Sequence, residues 1–222
     1  MKLMHAASTL STLLLAKEAA SLTCPDASSS KEWGQRELYG GYLTFTYATV
    51  TSSLPEERGI LCARLESKME SYIGFGISPS GRMNGGEAVI GLPDEGTVKK
   101  YTLSGGPRNA YLMDDSNQTL MDEQITQTDG KTLMVFTKYL LEDGEHDILA
   151  TGENVFLYAL GRSNSLAKHE GGGAFKIDFG DPPTPPTPTA DNKKGTESGV
   201  MGKTIAGTIV VGAGLVAVWF GL

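Results

Sequence analysis

The sequence predicts an all-β protein in which residues 22–180 form one antiparallel β-sandwich. Short runs of β-branched and aromatic residues recur along this segment, and Gly, Pro, Asn, Asp and Ser separate them. Helical spacing of apolar residues is hard to find between Trp33 and Phe179. No internal repeat is visible, so the segment is predicted to be a single domain.

Nine segments have the composition of β-strands, and some also indicate how they are buried. Residues 174–179, AFKIDF, alternate apolar with charged residues, which predicts a half-buried strand. Residues 154–161, NVFLYALG, are apolar on both faces, which is typical of a central strand covered on both sides. The predicted strands are 42–50, 59–66, 71–78, 87–92, 98–103, 123–128, 132–140, 154–161 and 174–179.

The strand at residues 71–78, SYIGFGIS, has two different faces. Its apolar side chains share one face, while Tyr72, Gly74 and Gly76 share the other. Glycines along one face of a strand often mark a place where a ligand approaches closely, although a bulge or tight strand packing is the commoner cause. This face is therefore a candidate binding surface.

The N-terminal segment and the segment after the predicted domain both have special compositions. Residues 1–20 combine Lys2, a short apolar stretch and small residues near Ala20, which predicts a secretory signal peptide, with an ordinary first helix as the alternative. Residues 181–199 are rich in Pro and Thr, which predicts an extended, O-glycosylated stalk.

The C-terminal tail, residues 200–222, contains an uncharged apolar run. The polar spacer and small residues before the run are typical of a GPI-anchor signal, with attachment at Ser198 or Gly195. The run of about 18 residues also meets the lower limit for a transmembrane helix, although no Lys or Arg follows it. We favour the lipid anchor, which predicts a secreted protein held at the outer face of the plasma membrane.

Three further features concern the chemistry of a secreted chain. Its two cysteines, Cys24 and Cys62, would form one disulfide in an oxidising compartment, although two thiols could also stay buried and free. Asn117 begins the sequon Asn-Gln-Thr between polar residues, which predicts a glycosylated surface loop. The formal net charge of -7 includes no basic run, so nucleic acid is not an expected partner.

Few residues of the predicted domain can carry metal or catalytic chemistry. His146 lies in an acidic turn, LEDGEHD, where a solvated loop residue is expected, whereas His169 lies in a Gly-rich loop before the last strand. The cysteines lack zinc spacing, and no nucleophile elbow is present. One combination remains, a methionine with a histidine, because thioether sulfur and imidazole nitrogen form an axial pair for haem iron, and such a pair would explain Met83 in the loop GRMNGG. A methionine more often fills a core, which is the alternative for Met83.

Two long segments resemble the DOMON domain. Residues 72–101, YIGFGISPSGRMNGGEAVIGLPDEGTVKKY, are similar to the family's Trp-x-Ala-x-Gly-Phe-Ser strand, Gly-x-Met loop and following Gly-Ala-Asp-Val-like strand. Residues 136–179 resemble the second half of the family, in which a His loop precedes the last strand. The resemblance covers most of residues 38–180 and implies an immunoglobulin-like DOMON sandwich.

The haem-binding branch of this family includes the cytochrome domain of cellobiose dehydrogenases and the plant auxin-responsive, lipid-anchored surface cytochromes. In that branch the loop Met and the late His are the axial ligands, which implies that Met83 and His169 bind the iron of one haem b. The preceding strand would complete the cofactor-binding site with Tyr72, Gly74, Phe75 and Gly76.

The sequence departs from the family pattern at four positions without losing a ligand. Tyr72 replaces the usual Trp, Gly74 the usual Ala, Glu87 the usual Asp, and Lys138 stands where Arg is common. These departures concern the packing around the porphyrin.

The resemblance implies a cytochrome b that transfers electrons and is not an enzyme. Its redox partners would be small reductants such as ascorbate or quinones, or membrane redox proteins. The alternative is a haem-free DOMON module that binds glycans at the cell surface through stacking aromatic residues. A third possibility, the regulatory part of a copper monooxygenase, has little support because histidines are few. The aromatic candidates for glycan stacking are Trp33, Tyr39, Tyr42, Tyr101 and Tyr111.

Overall fold

A computed structural model describes residues 22–26, 32–51, 58–105 and 109–180. All of these residues belong to one compact unit. The described part contains eleven strands and two short 3-10 helices. The strands form two antiparallel sheets, which confirms the predicted all-β sandwich.

All nine predicted strands are present, with ends that shift by up to three residues. Two strands were not predicted, β1 (Gly34–Leu38) and β7 (Ala110–Leu112). The residues of β1 between its two ends are polar and exposed, and β7 has three residues, so neither has the apolar alternation that identifies a strand. The strands are β1 (Gly34–Leu38), β2 (Leu43–Val50), β3 (Ile60–Ser67), β4 (Ile73–Ile77), β5 (Glu87–Leu92), β6 (Thr97–Leu103), β7 (Ala110–Leu112), β8 (Met121–Thr128), β9 (Lys131–Tyr139), β10 (Glu153–Leu160) and β11 (Gly171–Asp178).

The two sheets have the strand orders β1-β2-β3-β9-β8 and β11-β10-β4-β5-β6-β7. We refer to them as the five-stranded and the six-stranded sheet. In the six-stranded sheet β4 lies between β10 and β5, with Ile73 opposite Leu160 and Ile77 opposite Phe156 on β10. The end of β10 is therefore adjacent to the start of β4, a register that decides where the loops after these strands emerge.

Aromatic side chains fill the space between the two sheets. Phe75 of β4 lies at the centre of this group, with ring centroids 4.9 Å from Phe45, 5.0 Å from Phe156 and 5.7 Å from Phe136. Phe175 of β11 packs 5.7 Å from Phe156. Large aromatic side chains contribute most of the apolar area buried in such a core, and these five come from both sheets.

The outer face of the five-stranded sheet is partly covered by the N-terminal arm, residues 22–26. Cys24 is joined to Cys62 of β3 by a disulfide, which confirms the predicted pairing. Leu22 and Trp33 pack with Ile60 in the small apolar cluster around this disulfide. The arm is therefore fixed to the side of the sandwich that faces away from the six-stranded sheet.

Two lysines and two glutamates are buried together between β6, β9 and the turn that follows β9. Lys100 and Lys138 are each 1% exposed. The Lys100 ammonium donates to Glu142 at 3.0 Å and to Glu145, and that of Lys138 donates to Glu145 at 2.8 Å and to Glu142. The two positive and two negative charges balance, and burial lowers the pKa of Lys138. This network connects a strand of each sheet.

Several predictions concern residues that the structure does not describe. The signal peptide at 1–20, the stalk at 181–199, the tail at 200–222 and the attachment residues Ser198 and Gly195 all lie outside the described ranges. In the described part of the chain, no helix has the length and apolar character needed to span a bilayer.

Candidate functional site

A cavity of about 830 Å³ lies over the outer face of the six-stranded sheet. Strands β4, β5, β10 and β11 form its floor, and the loops at residues 78–86 and 161–170 form its walls. We call these two segments the Met83 loop and the His169 loop. The lining is mainly apolar and small: Gly74, Gly76, Ala88, Ile90, Leu103, Ala110, Leu157, Ala159, Gly172, Gly173 and Ala174 belong to it.

The glycine face of β4 lies at the floor of this cavity, as the sequence pattern indicated. A methyl group added at Gly76 would lie 2.8 Å from Leu157 Cβ, so there is no room for a side chain there. One added at Gly74 would lie 3.4 Å from Ala159 Cβ, which is ordinary contact. The small residues keep the floor flat.

Phe75 does not belong to this site, although we expected it to contact the cofactor. Successive residues of a strand point to opposite faces, so its side chain projects away from Gly74 and Gly76. It is 0% exposed and packs among the aromatic rings between the sheets. The predicted role of Phe75 in cofactor binding is therefore wrong, and Phe75 supports the site only from the core side of β4.

The Met83 loop connects β4 to β5 and presents Met83 at the cavity wall with 36% of its surface exposed. The main chain around Met83 is held tightly. The Ser78 hydroxyl donates to Arg82 O at 2.7 Å, and Gly86 N donates to Met83 O at 3.0 Å. Gly85 N also donates to Leu103 O of β6 at 3.1 Å. The methionine side chain is therefore carried on an ordered loop and is open to the cavity.

The His169 loop connects β10 to β11 and places His169, which is half-buried, at the cavity wall. Neither ring nitrogen of His169 has a hydrogen-bond partner among the described residues. A methyl group on Gly172 would lie 3.2 Å from both Nδ1 and Cε1 of this ring, so a glycine there leaves the imidazole its space. Both nitrogens are thus uncommitted.

The two loops approach the cavity from opposite ends of β4. The Met83 loop begins where β4 ends, after Ile77. The His169 loop begins after Leu160, which lies opposite Ile73 at the start of β4. Both loops nevertheless line the same cavity. The structure therefore brings Met83 and His169 together over the glycine face, although 86 residues separate them in the sequence (169 − 83).

His146, the other histidine of the domain, has a different role from that of a ligand. Its ring Nε2 donates to Gly85 O at 2.7 Å, because a carbonyl oxygen can only accept. Its backbone N–H donates to the two carboxylate oxygens of Glu87 at 3.0 and 3.1 Å. The sequence predicted a solvated loop residue, but His146 instead attaches the acidic turn to the base of the Met83 loop.

Burial raises the pKa of several groups beside the cavity, among them Tyr72 and Glu87. The phenol of Tyr72 is 3% exposed and donates to Ala167 O at 2.7 Å in the His169 loop, and burial raises its pKa to about 12. Burial likewise raises the pKa of Glu87, which is 8% exposed at the start of β5. Tyr72 therefore stays a protonated donor at any physiological pH.

The glycines at residues 171–173 belong to β11, whereas we expected them in the loop before it. They pair with Leu160, Ala159 and Tyr158 of β10. A methyl group at Gly173 would lie 3.0 Å from the Tyr158 ring. The run EGGG resembles a loop in composition, and neighbouring rings that occupy the space of the missing side chains explain why it is a strand.

The remaining sequence candidates do not form a second site. The proposed glycan-stacking residues are dispersed, since Trp33 packs on the five-stranded sheet, Tyr101 is buried on the outer face of the six-stranded sheet, and Tyr39 contacts Tyr42. Within the described ranges, no group of three or more His, Cys, Asp or Glu residues could hold a metal ion. Asn117 is exposed, as a glycosylation site requires.

The cavity fits a haem in size, shape and donor set. Its volume lies within the range of cofactor and ligand pockets, about 300–1,000 Å³. Its floor is apolar and flattened by Gly74 and Gly76, which suits a planar ring. Its walls offer one thioether and one imidazole, which together can occupy both axial positions of a haem iron. These residues could therefore hold the group that the sequence resemblance implies.

Comparison with known proteins finds similar solved structures but no matching family model. One similar structure is the cytochrome b domain of pyranose dehydrogenase from Coprinopsis cinerea, with 15% identity, a TM-score of 0.46, and coverage of 64% of this chain and 79% of that one. Another is the cytochrome domain of cellobiose dehydrogenase from Myriococcum thermophilum, with 14% identity, a TM-score of 0.38, and coverage of 64% and 86%.

Proposed function

We propose that this protein is an extracellular, membrane-anchored b-type cytochrome that transfers single electrons through one haem ligated by Met83 and His169. One observation carries the proposal. Two side chains able to ligate iron reach one flat, apolar cavity from opposite ends of β4. The DOMON-like sequence of residues 72–101 and 136–179 gives independent support.

Each candidate ligand is available for the role. The ring nitrogens of His169 make no hydrogen bond within the described part of the chain, so its lone pair requires no other contact to be broken. Met83 lies on a loop in which the carbonyl groups of Arg82 and Gly85 are already bonded, so binding orders little additional backbone there. Thioether with imidazole favours ferrous iron and raises the reduction potential relative to harder ligand pairs.

The ligand set favours electron transfer over catalysis. A bound haem supplies an iron that alternates between the ferrous and ferric states. Met83 and His169 would both hold the haem iron, and the group would supply one-electron exchange without a protein-provided position for a substrate. The apolar floor of Gly74, Gly76 and Ala88 excludes water from one face of the site. We therefore propose a carrier that is not itself an enzyme.

The proposed location and partners rest on the sequence. The signal peptide at 1–20, the stalk at 181–199 and the apolar tail at 200–222 support a protein displayed outside the cell. The Cys24–Cys62 disulfide is consistent with an oxidising compartment. Small reductants such as ascorbate, quinones, or membrane redox proteins are the proposed partners.

An optical spectrum of the purified protein, oxidised and then reduced with dithionite, tests the function. We expect a Soret band and the sharp reduced bands of a low-spin haem b. His169→Ala should lose most of the haem, whereas Met83→Ala should retain more of it, become high-spin and bind added carbon monoxide, because imidazole is the stronger donor. Met121→Ala, on the five-stranded sheet, is the matched control and should keep the parent spectrum. A colourless parent after haem supplementation would contradict the proposal.

A further inference from the structure

Two buried hydroxyl groups flank β4 and point to the two ligand loops. Tyr72 is the residue immediately before β4, and Ser78 is the residue immediately after it. Both positions share the strand face of Gly74 and Gly76, because side chains alternate along a strand. The face thus reads hydroxyl, glycine, glycine, hydroxyl, with about 20 Å between the outer Cα atoms.

Each hydroxyl donates to a main-chain carbonyl close to a proposed ligand. The Tyr72 hydroxyl donates to Ala167 O, two residues before His169, at 2.7 Å. The Ser78 hydroxyl donates to Arg82 O, one residue before Met83, also at 2.7 Å. The two bonds are equal in length and acceptor type, and each acceptor lies within two residues of a proposed ligand.

The surroundings ensure that each hydroxyl is a donor. Ser80 Oγ lies 3.1 Å from Ser78 Oγ, and since Ser78 gives its one proton to Arg82 O, Ser80 must donate to Ser78. The Tyr72 ring occupies space that only a glycine at 161 leaves free, because a methyl group there would lie 2.2 Å from the ring. Tyr72 and Ser78 are 3% and 1% exposed, so water does not compete for these bonds.

Main-chain hydrogen bonds also restrain both loops, but within the described residues they do not involve the carbonyl groups that the Tyr72 and Ser78 hydroxyls bond. Tyr72 N donates to Ser163 O at 2.9 Å and Gly161 N to Tyr72 O at 3.0 Å, which fixes the start of the His169 loop. Within the described chain, the main-chain carbonyl groups of residues 164–168 accept one hydrogen bond from outside the loop. Its donor is the Tyr72 hydroxyl. The hydroxyl therefore reaches the part of the loop nearest to His169.

We propose that Tyr72 and Ser78 are positioning residues that set the His169 and Met83 loops over the glycine face before the haem binds. The inference rests on the proposed haem function and deepens it. It assigns Tyr72 a role beyond lining the cavity, and it assigns Ser78 a role that no motif in the sequence indicates. The strand between them acts as a rigid spacer, since β4 is paired on both sides.

Four single-oxygen deletions test the inference. Tyr72→Phe and Ser78→Ala each remove one positioning hydroxyl. Tyr101→Phe and Ser71→Ala are the matched controls. Tyr101 is a buried phenol in the same outer-face cluster, with no hydrogen bond from its hydroxyl within the described residues. The Ser71 hydroxyl is buried and has no partner in the described chain.

Two measurements are made on each variant. Amide hydrogen exchange on the haem-free protein should rise about three- to tenfold in residues 164–169 for Tyr72→Phe alone, and in residues 80–84 for Ser78→Ala alone. In the haem-loaded protein, Ser78→Ala should lower the reduction potential and increase carbon monoxide binding. Tyr72→Phe should speed haem transfer to apomyoglobin about three- to tenfold. Both controls should match the parent in every measurement.

The possible failures are distinguishable. A parent that is colourless after haem supplementation removes the proposed function, and the positioning role with it. If the parent is red but Tyr72→Phe and Ser78→Ala behave like their controls, only the positioning role is wrong. A third result also overturns the inference. If amide hydrogen exchange in the loops rises while the reduction potential, carbon monoxide binding and haem transfer stay at the parent values, the two hydroxyls have only a structural role.

Discussion

Glu87 shows at the residue scale how a buried carboxyl group can help to fix the Met83 loop. Both of its oxygens accept the backbone N–H of His146, whose ring in turn donates to Gly85 O. Burial raises its pKa above the ordinary value of 4.5. Between pH 4.5 and the raised pKa of the folded state, the folded protein therefore retains a proton that the unfolded chain has released.

The expected consequence is a pH-dependent effect of Glu87→Gln. As pH rises from 4.5 through the raised pKa, the parent loses stability because its buried carboxyl group must ionise. Glutamine keeps the acceptor oxygen and cannot ionise, so the variant should gain stability relative to the parent over this window. Below pH 4.5 the difference should be smallest, because the parent group is then neutral in both states.

Urea unfolding of both proteins between about pH 4 and pH 8 measures this difference. Glu123→Gln, at an exposed carboxylate on β8, serves as the control for loss of one negative charge. A Glu87→Gln difference that stays constant across the pH range would contradict the buried-carboxyl explanation.

Sequence pattern predicted the individual site residues unevenly. Met83, His169, Tyr72, Gly74 and Gly76 were all predicted and all line the cavity. Met83 and His169 are unusual residue types for a loop, and the other three residues share one face of a strand. Residues that act through hydrogen bonds to the main chain have no such signal, because a serine after a strand is ordinary turn chemistry. Ser78 was missed for this reason, as was the contact of His146 with the Met83 loop.

At the scale of elements, β4 lies between the cavity and the aromatic core. Its outer face is the floor of the cavity, and its inner face carries Phe75 into the core. Two glycines on the outer face differ in the space around them. A methyl group at Gly76 would overlap Leu157 Cβ at 2.8 Å, whereas one at Gly74 would meet Ala159 at ordinary contact distance.

These glycines make a matched pair of substitutions. Gly76→Ala should destabilise the protein by about 1–3 kcal/mol, because overpacking forces Leu157 or the strand to shift. Gly74→Ala should be neutral or stabilising by up to about 1 kcal/mol, because alanine restricts the unfolded chain. Chemical unfolding of the haem-free proteins measures both. Equal effects at the two positions would show that the spacing beside Leu157 does not limit the strand.

Periodicity predicted the elements well where one face is apolar. All such strands were found, including the central β10, whose Phe156 and Leu160 face the core while Leu157 faces the cavity. The exposed edge strand β1 and the glycine-rich start of β11 escaped prediction. Their pairing depends on partners elsewhere in the sheet, which a local window of sequence does not contain.

At the scale of the whole molecule, the disulfide and the cavity belong to different faces. Cys24 and Cys62 lie on the outer side of the five-stranded sheet and are 38 residues apart in the sequence. Replacing both cysteines by serine should cost about 2–4 kcal/mol of stability, chiefly through the unfolded chain. The optical spectrum and potential of the haem-loaded protein should not change, since the cavity is formed by the other sheet. A spectral change in this variant would mean that the two faces are coupled.

The proposed anchor also acts at this scale. We expect phosphatidylinositol-specific phospholipase to release the protein from intact cells, because the small residues near Ser198, the polar spacer and the apolar run are typical of a GPI-anchor signal. The mass is best measured in an Asn117→Gln variant, in which the predicted sequon is removed. Asn117 is changed rather than Thr119 because Thr119 also bonds the buried Lys100. Release only by detergent, with residues 205–222 still attached, would instead identify a transmembrane helix.

The sandwich architecture follows from strand composition, but the connection between its sheets does not. Lys100 and Lys138 occur in strands whose charged residues predict exposure, yet both are fully buried with Glu142 and Glu145. Two lysines can be buried here because two carboxylates neutralise them, and removing one partner of such a group costs about 3–5 kcal/mol. A pairing across both sheets is a property of the folded chain, so the sequence pattern alone did not reveal it.

The N-terminal arm has a practical consequence for electrochemistry. The arm lies on the outer face of the five-stranded sheet, so both sheets, with a core about 10 Å thick, separate it from the cavity. A protein immobilised on an electrode by a tag before residue 22 would turn its cavity toward the solution. Current would then be carried by diffusing mediators that reach the cavity, while direct tunnelling from the electrode would have to cross the whole sandwich.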